Sequence, residues 1–222
     1  MSQILNDTEV RVVGALIEKQ ITTPEYYPLT LHALTQACNQ KSNRDPIVSF
    51  GEPEIAHALE SLRDKNLVYI FYGSTSRVPK YKHMSPEIFQ LDARELAVLG
   101  VLMLRGAQTV GELKERANRL AAEFTTLHEV EETLDSLTSK EPQPLIAKLA
   151  RQPGQKDARY VHTLAGEVTV GYIDKSANGN SSINDSGKTG RLAKLEDEVE
   201  MLRAEVAELR QRLGDFVKQF EA

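Results

Sequence analysis

The chain has 222 residues, with 27 lysines and arginines against 32 acidic residues and a formal net charge of −5. That balance excludes the whole-molecule positive field of an indiscriminate nucleic-acid binder, although a local basic surface is compatible with it. The single cysteine, Cys38, sits at an apolar position of an expected helix and excludes an internal disulfide framework. No apolar run approaches the roughly 18 residues needed to span a bilayer, and the first ten residues do not resemble a signal peptide, so a cytoplasmic protein is expected.

Val10, Val13, Leu16 and Ile17 recur at helical spacing behind Asp7 and Thr8, both good capping residues, so a first helix is expected to end near Gln20. Pro24 and Pro28 interrupt it. A second helix is expected over Thr30 to Cys38, with Leu31, Leu34 and Ala37 on one face. A polar connector, Asn39 to Pro46, follows. Pro53 opens a third helix whose stripe is Ile55, Ala58, Leu59 and Leu62. Leu67 to Tyr72 is dense in β-formers, Gly73 to Ser76 is a turn, and Arg77 to His83 returns as a second strand.

The same series then recurs. Thr8 to Leu16 reappears as Arg94 to Leu102, Ala37-Cys38-Asn39 as Arg116-Ala117-Asn118, Ser61-Leu62 as Ser136-Leu137, and Lys80 to His83 as Arg159 to His162. The second copy predicts helices near 92–104, 109–121 and 127–139, a strand at Leu145 to Leu149, and a return strand at Ala158 to Thr163. Matching anchors in one order mark an internal repeat. Three helices and a hairpin, stated twice, predict a mainly α fold with small β-hairpins (α+β): two tandem winged-helix domains, 1–86 and 87–173.

Residues 174–190 are rich in Asn, Ser and Gly and read as a flexible linker. Beyond it, Leu192, Val199, Val206, Leu213 and Phe220 take a positions of a heptad, and Leu195, Leu202, Leu209 and Phe216 take d positions. This stretch, within 191–222, predicts a parallel coiled coil and a homodimer, with a helix folded back on its own domains as the alternative.

The stretches Glu18 to Leu31 and Ala37 to Pro46 closely resemble the bacterial YceH family, and the resemblance continues through both repeats to about His162. It implies a tandem winged-helix protein. It implies no particular biochemical role and carries no functional residues onto this chain.

The sequence contains no nucleophile–base arrangement, phosphate-binding glycine motif or closely spaced metal ligands, and His32, His57, His83, His128 and His162 are scattered. No enzyme activity, cofactor or metal is expected. Lys41, Asn43 and Arg44 in the connector, with Arg77, Lys80 and Lys82 on the hairpin, form a candidate phosphate-gripping surface for double-stranded DNA. That leads to a DNA-binding, regulator-like reading. Against it, the third helices carry Glu54, Glu60 and Asp64 in the first copy and Glu129, Glu131, Glu132 and Asp135 in the second. Those carboxylates favour a second reading, a protein-binding adaptor similar to tandem winged-helix subunits of chromosome-organising complexes. Tyr26 and Tyr27, in a proline-framed insertion, are candidate protein-contact residues, the alternative being a tyrosine that caps the core.

Overall fold

The computed structural model describes residues 4–72, 78–151 and 157–166. All belong to the first of two compact units, Met1–Ser176; the second, Ala177–Ala222, lies outside the described residues. The expected linker and heptad seam, Arg77, and most of both hairpin turns therefore lie outside them too.

Helix α1 (Asp7–Thr22) is capped one residue before the expected caps and runs two residues past the expected end at Gln20. Asn6 Oδ1 accepts the Glu9 N–H at 2.9 Å, and Glu9 Oε2 accepts the Asn6 N–H at 2.8 Å, so Asn6 rather than Asp7 or Thr8 satisfies the helix start. The chain continues through a two-residue strand β1 (Leu29–Thr30), α2 (Leu31–Cys38), α3 (Glu52–Asp64), β2 (Val68–Phe71) and β3 (Lys80–His83). A short α4 (Ser85–Phe89) contains the boundary drawn at residue 86 and leads to α5 (Ala93–Arg105). Then β4 (Gln108–Thr109), α6 (Val110–Asn118), α7 (Leu127–Thr138), β5 (Ile146–Lys148) and β6 (Arg159–His162) repeat the order of the first half. Each half closes a small antiparallel sheet, ordered β1-β3-β2 and β4-β6-β5. The mixed α+β character is as expected; the two-residue strands and α4 are not, being too short to show a hydrophobic period.

Several repeat anchors hold corresponding joints. Asn39 Nδ2 donates to the Phe50 carbonyl and its Oδ1 accepts the Phe50 N–H, both at 2.8 Å. Asn118 grips Phe124 in the same way, at 2.9 and 2.7 Å. The clamp explains why α6 stops at Asn118 and not at 121: the side chain turns back to fix the approach to the next helix. Glu9 and Glu95 repeat likewise. Glu9 takes Lys65 Nζ at 2.7 Å, while Glu95 takes Lys140 Nζ at 2.9 Å and the Ser136 hydroxyl at 2.7 Å. Burial pushes both carboxyls up, but these partners and the helix caps bring them below the ordinary carboxylate range.

The two halves share one hydrophobic core. Residues 9–18 of α1 and 95–104 of α5 are buried on every side, as befits central helices. They pack closely at two glycines: a Cβ on Gly14 would lie 3.1 Å from Met103 Cβ, and one on Gly100 would lie 2.8 Å from Ile17 Cγ2. Gly14 corresponds to Gly100 in the repeat, and Ile17 to Met103, so each half brings the same two positions to the other, with Leu104 lying closer still to Gly14 at 3.0 Å.

Candidate nucleic-acid interface

The connector between α2 and α3 is bound to the core, and this corrects the expectation for Arg44. Its side chain is buried, with Nη1 donating to Glu18 Oε2 at 2.8 Å and Nη2 to Glu18 Oε1 at 3.0 Å, a bidentate pair. Its remaining donors reach the carbonyls of Ala37 and Asn43 and Gln40 Oε1. No donor remains to grip a phosphate. Burial pushes the Glu18 carboxyl up, while the hydrogen bonds and charge of Arg44, aided by Lys19 at 3.0 Å, pull it below its ordinary value.

Nearby groups reinforce this docking. Arg11, also buried, donates to the Cys38 carbonyl at 3.2 Å and the Pro46 carbonyl at 2.6 Å. The Asp45 N–H donates to the Leu104 carbonyl at 2.9 Å, and Asn43 Oδ1 accepts from the Arg105 guanidinium, so the connector ties the first half to the end of α5. Asn43 is exposed but has a positive φ of 59° and this partner. Of the three connector candidates, Lys41 alone is an exposed cation. It does not adjoin the hairpin lysines: Lys80 pairs across the sheet with Thr30, which caps the start of α2, whereas Lys41 follows its end. Eight helical residues separate those ends by about 12 Å.

The first hairpin presents a different surface. Strand alternation turns Val68, Ile70, Tyr81 and His83 inward. The opposite face carries Tyr69 across from Lys82 and Phe71 across from Lys80. Tyr69 is 62 % exposed and Phe71 46 %, values that a ring shielding a core would not show. Both lysines are half-buried, and Lys82 Nζ lies 3.9 Å from Glu87 at the surface, a weak constraint. Sequence reasoning finds Lys80 and Lys82 but misses the rings beside them, because a run of six β-formers does not reveal which face stays uncovered.

Behind this face, Tyr27 accepts the His83 N–H on its hydroxyl at 2.8 Å and meets the imidazole edge-on at 6.1 Å. Burial raises the Tyr27 hydroxyl well above its ordinary pKa. It lowers His83 to about 3, assisted by the Lys82 charge, so this imidazole is neutral. Tyr27 thus anchors β3, whereas Tyr26 is 71 % exposed.

The outward faces of the third helices are acidic. Glu52, Glu54, Glu60 and Asp64 are exposed on α3, as are Glu131, Glu132 and Asp135 on α7. Among the described residues, no group of three His, Cys, Asp or Glu could hold a metal ion, and no helix is long and apolar enough to cross a membrane.

The family described as "Protein of unknown function, DUF480" matches residues 5–155. A UPF0502 protein of Geotalea uraniireducens is 49 % identical over 222 residues, covering all of both chains. One from Opitutus terrae is 53 % identical over 167 residues, 75 % of this chain and 72 % of its own. Another from Geobacter sulfurreducens is 47 % identical over the full length of both. With a match over both repeats and relatives alike from end to end, the chain belongs to the DUF480/UPF0502 family of bacterial proteins.

Proposed function

We propose that the chain is a non-enzymatic tandem winged-helix protein of YceH type that binds nucleic acid through the hairpin of its first half. The observation that carries this reading is the outward row of Lys80 and Lys82 on β3, a local cationic surface on an acidic chain. The third helices, which would read bases in a helix-turn-helix contact, expose carboxylates that repel phosphates, so a sequence-reading regulator receives less support than backbone binding. The same carboxylates favour the second reading, a protein-binding adaptor.

Salt dependence separates the two. Binding of the full chain to nucleic acid should weaken as salt rises, and Lys80→Gln with Lys82→Gln should flatten that dependence, because each phosphate no longer neutralised keeps its counterion. Absence of binding even at low salt, where screening is least, sinks the nucleic-acid reading and leaves the adaptor.

The heptad positions Leu192 to Phe220 support a coiled-coil homodimer as part of this proposal. A chain ended after Asn184 should sediment as a monomer; an unchanged oligomer would reject the coiled coil as the dimer contact.

A further inference from the structure

On the outer face of the first hairpin, each lysine stands directly across the ladder from an aromatic ring, Tyr69 from Lys82 and Phe71 from Lys80. Two residues apart on one strand, the rings leave the same face about 6.6 Å from each other, so each can take its own base. The second half builds the corresponding ladder differently. There Ala147 faces Val161, which is buried, and the Leu149 N–H bonds to the Arg159 carbonyl. The Arg159 guanidinium is held by the Ala107 carbonyl at 2.9 Å and Glu112 at 3.2 Å. The register nevertheless corresponds, Val68 and His83 with Ile146 and His162, and Ile70 and Tyr81 with Lys148 and Tyr160, although Lys148 is exposed. The same sheet therefore forms without exposed rings beside lysines, and the fold does not require them.

Alternating rings and cations match the chemistry of an unpaired strand, whose bases are bare for stacking and whose phosphates are close by. A duplex hides its base faces and leaves exposed rings nothing to stack on. We infer that the outer face of the first hairpin binds single-stranded nucleic acid, with bases stacked on Tyr69 and Phe71 and phosphates against Lys80 and Lys82. The inference rests on the nucleic-acid reading above and names its substrate class.

The test uses the full chain and a labelled oligothymidylate of about 12 nucleotides, a length within the usual range for such sites. The oligonucleotide should bind about tenfold or more tightly than a duplex of equal length. Tyr69→Thr with Phe71→Thr, which retains strand-forming side chains, should weaken it by about tenfold or more while the melting temperature stays near that of the parent. If that variant folds poorly, Tyr69→Leu with Phe71→Leu keeps apolar bulk and must give the same loss. Lys80→Gln with Lys82→Gln should reduce the log–log salt slope by about 1.4, the single-strand value for two phosphates. Polyglutamate competing as well as the oligonucleotide, together with indifference to loss of the rings, overturns the inference in favour of an acidic peptide. Equal or tighter duplex binding overturns it while leaving the nucleic-acid reading intact; binding to neither strand form defeats both.

Discussion

Arg44→Ala is expected to lose about 3–5 kcal/mol of stability at neutral pH, whereas Lys41→Ala, three positions earlier and exposed, should melt like the parent. Arg44 supplies both hydrogen bonds to the Glu18 carboxylate and satisfies the Ala37 carbonyl at the end of α2. Its removal leaves a buried anion with Lys19 as its remaining ion-pair partner and a carbonyl without that donor. The loss should depend on pH. In the parent, Glu18 lies below its ordinary pKa, so the unfolded chain binds more protons in acid. The pair contributes above the unfolded carboxyl value of about 4.3 and is lost as pH falls through the lower folded value. In the variant, burial acts with less opposition and raises the carboxyl, so its cost grows as pH rises through the ordinary range. Denaturant melts at about pH 4 and pH 7 should therefore show a wider gap between variant and parent at pH 7. An equal gap at both, or none at pH 7, would show that the pair does not hold the connector.

The other large effect belongs to the helix crossing. Gly100→Val should cost about 3 kcal/mol or more, because even the first added carbon would overlap Ile17 Cγ2 at 2.8 Å and the branched remainder must force α1 and α5 apart. For a chain of this size that is a fall of roughly 6–12 °C in melting temperature. Gly111 provides the control. It lies in α6 with nothing within 4 Å of an added Cβ, so Gly111→Ala should raise stability by up to about 1 kcal/mol through helix propensity. A Gly100→Val protein that melts at or above the parent temperature would refute close packing at this crossing.

Much of the architecture is legible because the chain repeats itself. Ser61 with Ser136, Asn39 with Asn118 and Gly14 with Gly100 fix the alignment of the two halves. What they do is not legible, since each acts on a partner set by tertiary structure: the asparagines on a phenylalanine eleven or six positions onward, and the glycines on side chains of the other half. Arg44 shows the limit most clearly. Among polar turn formers it reads as a surface cation, and no periodicity links it to Glu18, twenty-six positions back. The exposed rings escape for a related reason. Alternation puts Tyr69 and Phe71 on one face of β2, but burial of Val68 opposite decides that theirs is the outer one.

The reciprocal meeting of Gly14 with Met103 and Gly100 with Ile17 has the form of a homodimer whose two copies have been joined end to end. In a true homodimer every substitution is made twice, so an altered loop must suit both sides of the axis at once. Joining the copies removes that constraint, because each side can change alone as long as the crossing survives. The present chain shows such asymmetry: one half carries the longer connector, reaching across to Leu104, and the other carries the shorter one. Asymmetry between the halves thus needs no new fold, only a symmetric contact that tolerates asymmetric surroundings.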